Sequence, residues 1–145
     1  MTESQFLSFL NQNDAFVGNA SDERAIKLVN SGLQNISAAI LPQFMINFYK
    51  KFGAIVLSGA YIFGPEELKN PKLSYPVPGI FDINNDIANL KQMRGKTLFG
   101  RNDLFLFAFN AFGQFFMLDN LTMSVLREYT DPWQAISDCT TIGKL

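Results

Sequence analysis

LFLFAFNAFGQFFML, residues 104–118, decides the fold. It carries six of the chain's fifteen phenylalanines: Phe105, Phe107, Phe109, Phe112, Phe115 and Phe116. Side chains alternate between the faces of a strand, so Phe105, Phe107 and Phe109 share one face and Leu104, Leu106 and Ala108 the other. Both faces are apolar, the mark of a central strand covered on both sides. Residues 110–113 can turn the chain, and residues 114–119 can return as the next strand. Asn110, Gly113 and Gln114 interrupt the stretch and make it a poor membrane span.

Outward from this hairpin, residues 97–100 read as a strand with a turn at 101–103, and residues 124–129 as another strand. Asp131 and Pro132 open a last helix with Trp133, Ile136 and Cys139 or Thr140 turned inward. Upstream, residues 82–93 fit a helix on the spacing of Ile83, Ile87 and Leu90, closed by Gly95. Residues 70–79 hold Pro71, Pro76, Pro78 and Gly79 and read as an extended connection. Residues 54–57 and 60–63 make two short strands around the Ser58-Gly59 turn. Before them, Pro42 starts a helix whose apolar face is Phe44, Met45, Phe48, Tyr49 and Phe52, with Gly53 closing it. Residues 33–41 read as weak helix. Ser21 caps a helix that Gly32 ends, residues 11–20 read as loop, and residues 2–10 form a short helix with capping-box spacing between Thr2 and Gln5. Strands in runs, with no strict alternation of strand and helix, predict an α+β fold. The expected form is a single domain over 1–145, with a largely antiparallel (mixed) sheet of about five or six strands flanked by helices.

The length of 145 residues suits one domain. A hydrophobic share of 48% with 17% charged residues places the chain among globular proteins. Net charge is −1, and no basic run exceeds Lys50-Lys51. Nucleic acid is therefore not an expected partner, because phosphate neutralisation needs clustered cations. One cysteine excludes an internal disulfide. With no basic, apolar leader at the N-terminus and no long apolar run, the expected location is the cytoplasm, away from the membrane. The N-x-S/T triplets at Asn19, Asn35 and Asn120 are then chance matches.

The chain has no histidine, which removes Ser-His-Asp and Cys-His catalysis and imidazole zinc sites. Asp82, Asn84 and Asp86 mimic the start of a calcium loop, but Ile87 and Met93 stand where that loop needs Gly and Glu. No metal, cofactor or catalytic residue is assigned. No Rossmann or P-loop glycine pattern occurs. Phe-rich strands can stack single-stranded bases, but here too few cations flank them, and core packing is the better reading. Cys139, on the apolar face of the last helix, reads as a buried structural thiol.

Several segments taken in order carry a resemblance: Leu41-Pro42 opening the aromatic helix QFMINFYKKFG, then YIFGPEEL from Tyr61, then FGRNDLFLFAFNAFGQFFMLD from Phe99, and DPW from Asp131. Over residues 21–138 this order resembles the SUKH superfamily, which includes fungal cell-wall glucan synthesis regulators and many bacterial immunity proteins. Three positions depart from its pattern: Phe52-Gly53 for Asn-Gly, Asn110 for the strand-ending Asp, and Arg101-Asn102-Asp103 for the Gly-Gly-Asp turn. No binding residue is carried over from the family. The resemblance implies a non-enzymatic protein that binds and neutralises a cognate toxin in the cytoplasm. The alternatives it leaves are a regulator of cell-wall glucan synthesis or signalling scaffold, and, from the residues themselves, a small carboxylate-dependent enzyme or a self-associating scaffold. The expected state is a monomer or weak homodimer.

Many toxins acting on nucleic acid are basic, so an acidic surface would steer association. Glu66, Glu67, Asp82 and Asp86 bracket the proline-rich connection and are the candidate acids. Tyr61, Tyr75 and Phe81 are the candidate aromatic anchors.

Overall fold

The register of the Phe-rich hairpin runs through the whole structure. A computed structural model describes residues 1–141; the last positions of the expected domain, 142–145, lie outside the described residues. The strands are β1 (Phe16–Val17), β2 (Ile55–Leu57), β3 (Ala60–Ile62), β4 (Lys96–Asn102), β5 (Phe105–Asn110), β6 (Phe115–Asp119) and β7 (Val125–Tyr129). They form one sheet in sequence order, and every neighbouring pair is antiparallel. The fold is thus α+β, as the sequence predicts, with seven strands rather than five or six and no parallel pair among the described residues. The added strand is β1, two residues that pair with β2 inside a segment read as loop. So short a run gives no alternation to detect.

Paired residues share a face, which sorts the sheet into two surfaces. Ile55, Ile62, Gly100, Phe107, Met117 and Arg127 form one row across the first face. Phe109 and Phe115 lie beside it, both buried. A bulge between Leu98 and Gly100 turns Phe99 to the same side, where its ring centroid is 5.5 Å from that of Phe115. Helices α3 (Gln43–Tyr49) and α5 (Pro132–Thr141) cover this face: Phe44 meets Phe115 edge-on at 5.6 Å, and α5 contacts β3 to β7. Gly100 lets α5 come close, since a Cβ there would stand 2.9 Å from Cys139 Sγ. The first helix, α1 (Glu3–Gln12), has the expected capping box at Thr2 and adds Phe6 to the rings of Phe48, Phe52 and Trp133.

The second face carries the row Phe16, Val56, Tyr61, Arg101, Leu106, Leu118 and Val125. Leu98, Leu106, Ala108, Phe116 and Leu118 are buried on it. Strand β5 is interior on both sides, whereas Phe112 in the turn after it is 89% exposed and Val125 and Leu126 of the edge strand β7 are exposed. The long connection between β3 and β4 contributes α4 (Ile80–Asn85), Ile83, Ile87 and Met93 to the core. Asn84 anchors this connection. Its amide donates to the Leu98 and Ile80 carbonyls at 2.9 and 2.8 Å and accepts from the Leu98 N–H at 2.7 Å.

Several helix bounds differ from expectation. Asp22, not Ser21, caps α2 (Glu23–Asn35), accepting from the Ala25 N–H. That helix passes through Gly32 and does not stop there, because Gly32 makes room for a ring: a Cβ would fall 2.7 Å from Phe81. The helix expected over 82–93 is only α4 followed by a 3₁₀ turn at Lys91–Met93, because Asn84 spends its side chain on β4 and Leu90 is extended. The aromatic helix ends at Tyr49, before Phe52. Gly53 packs against backbone, with a Cβ there only 2.5 Å from the Asn19 carbonyl oxygen. Arg101 belongs to β4 and not to a turn; Asn102 makes the turn, its side chain accepting from the Leu104 and Phe105 N–H groups.

Candidate partner-binding cleft

Where β2, β3 and β4 leave part of the second face uncovered, the proline-rich connection stands off the sheet and encloses an open cleft of about 920 Å³. Ligand sites commonly fall at about 300–1,000 Å³. The floor comes from strand register. Val56, Tyr61 and Arg101 are successive cross-strand partners on one face, so their Cβ atoms stand about 5 Å from one another in turn. The wall comes from residues 72–78, which hold Lys72, Tyr75, Pro76 and Pro78. Leu68 pairs with Val77 in an isolated bridge, and Val77 is buried, so the wall is tied back to the chain before it. Tyr75 is 81% exposed, an aromatic side chain held at the rim rather than in the core.

Charge in the cleft is unbalanced. Lys72 and Arg101 line it, with Asp103 as the only carboxylate among its lining residues. Neither cation has a salt-bridge partner among the described residues. The Asp103 carboxylate lies over Gly59, whose φ of +77° belongs to the β2–β3 turn.

The structure brings two of the candidate residues, Tyr61 and Tyr75, into this cleft and places the others elsewhere. Glu66 and Glu67 line a separate recess of about 260 Å³, where Glu67 pairs with Lys69 at 3.7 Å. Asp86 lines a third recess with Ser37 and Arg94. Asp82 is exposed on α4 and lines neither of those recesses. Phe81 is half-buried with its ring on Gly32, where it packs α4 against α2. Lys72, Arg101 and Asp103 were not candidates in the sequence. Arg101 reaches the site only through the pairing of Tyr61 with a strand far along the chain, which no local pattern announces.

The Phe-rich strands do not line the cleft, and no pair of carboxylates converges in it. The most buried carboxylate, Asp138, serves the frame: it accepts from Arg127 Nη1 at 2.8 Å, the Tyr129 hydroxyl at 2.6 Å and Gln134 Nε2 at 2.9 Å, tying α5 to β7. Burial and the Asp138 hydrogen bond push the Tyr129 hydroxyl above its ordinary value. Burial does the same to the Cys139 thiol, which is fully enclosed between α5 and the sheet. A suppressed thiolate is a poor nucleophile. Among the described residues no three His, Cys, Asp or Glu side chains are grouped to hold a metal ion, and no helix is long and apolar enough to cross a membrane.

Compared with family models, curated proteins and solved structures, the chain gives no match.

Proposed function

We propose that this chain is a non-enzymatic protein-binding domain whose cleft beside Tyr61 and Tyr75 receives a partner protein, in the manner of an immunity protein that neutralises a cognate toxin. The observation that carries the binding role is the exposed Tyr75 on the wall of an open cleft floored by the sheet. Tyrosine on the surface of a recess offers a large contact area with little conformational entropy to lose, and such residues dominate interface energetics. The toxin as partner rests on the SUKH resemblance of residues 21–138.

Co-expression with a toxin gene found adjacent to this chain's gene, or with a panel of candidate toxins, tests the proposal. The expected result is restored growth and a stable complex of the purified pair. Tyr75→Ala should weaken that complex by about 1–2 kcal/mol while leaving thermal unfolding unchanged. A chain that neither rescues growth nor binds would overturn the proposal.

A further inference from the structure

Resting on the binding role proposed above, we infer that the part of the partner seated in the cleft is an acidic peptide segment that also carries a bulky apolar side chain. The first observation is charge. Lys72 and Arg101 enter the cleft from opposite sides, one from the loop wall and one from the sheet floor, without a salt-bridge partner among the described residues. A guanidinium left open in a recess is matched by a carboxylate, which it can hold with two parallel hydrogen bonds. The second observation is position. Arg101 stands directly across from Tyr61, and Tyr61 from Val56. A carboxylate on Arg101 therefore brings the neighbouring side chain of the same segment over an aromatic and aliphatic floor. Tyr75 and Pro76 line the wall beside that side chain.

This reverses the sign expected from the sequence, in which the acids of this chain meet a basic partner. Those acids lie outside the cleft, whereas Lys72 and Arg101 lie inside it with Asp103 as the one carboxylate, which sits over Gly59. A basic partner surface placed here would meet Lys72 and Arg101 as like charges, which costs affinity and slows encounter.

Selection of random displayed peptides against the full chain tests the inference without the partner in hand. The enriched peptides are expected to carry net negative charge and at least one large apolar residue. A fluorescein-labelled copy of an enriched peptide should bind about tenfold more weakly to Arg101→Glu and to Lys72→Glu, equivalent to about 1.4 kcal/mol each. High salt should weaken it as well. Both side chains are exposed, so thermal unfolding of each variant should match that of the unaltered chain. Enrichment of neutral or basic peptides, no enrichment, or equal affinity for the variants would overturn the inference. The two levels separate cleanly: a protein partner that binds Arg101→Glu undiminished removes the acidic segment and leaves the binding role, whereas absence of any partner removes the role itself.

Discussion

Three buried protons set how single residues respond to pH. Burial raises the Tyr49 and Tyr129 hydroxyls above their ordinary value of 10.0 and the Cys139 thiol above 9.0. Tyr49 donates to the Phe63 carbonyl at 2.6 Å, and Cys139 points at the Tyr61 carbonyl, so each neutral form is held by the backbone. On raising pH, the unfolded chain releases these protons first while the folded chain keeps them. Stability is then complete below the unfolded values and is lost as pH rises toward the folded ones. Urea unfolding at stepped pH should show a decline beginning near 9.0, the ordinary thiol value, and steepening past 10.0. Cys139→Ala should lower stability overall and delay the decline to the tyrosine range. A flat profile through this range would contradict the burial argument. The buried thiol was readable from its place on the apolar face of the last helix. The Asp138 network was not, because it joins α5 to β7 through side chains with no sequence spacing of their own.

At the scale of elements, Asn84 is the side chain that fastens the end of the β3–β4 connection to the sheet. It replaces the strand that β4 lacks beyond the end of β3, satisfying both backbone groups of Leu98 at the bulge. Asn84→Ala leaves those two groups buried and unpaired, at a cost of about 2–4 kcal/mol. Because α4 closes the connection that carries Tyr75, the same substitution should weaken partner binding. Urea unfolding and hydrogen exchange at the Leu98 amide check the two effects; an unchanged exchange rate would show that the anchor is elsewhere. Strands β2 to β7 were legible because alternation and Gly or Asn turns mark them. The inward faces of α3 and α5 were legible from helical spacing. The run from Asp82 to Met93 misled because apolar residues at helical spacing also fit a broken connection laid over a sheet. Gly32 misled because a glycine that admits a ring looks like one that ends a helix.

For the whole molecule, seven strands in sequence order give a sheet with one face covered by α3 and α5, on which α1 packs, and the other left partly open under a proline-rich wall. Tyr61 and Tyr75 were nameable from the sequence as candidate anchors beside that segment, although its composition alone favoured placing such aromatics in the core. Arg101 and Lys72 were not, since their meeting depends on long-range register and on how the connection folds back. Aromatics from two separated segments and two open cations converge on a single recess, and the proposed recognition surface rests on this convergence.

Hydrogen–deuterium exchange of the full chain, alone and with a purified protein that it captures, distinguishes this recess from every other surface. Slowed exchange is expected at residues 56–61, 72–78 and 101–103, with β7 and the recess beside Glu66 unaffected. Protection centred on β7 or on Glu66 and Glu67, with residues 72–78 exchanging as in the free chain, would contradict the proposed recognition surface.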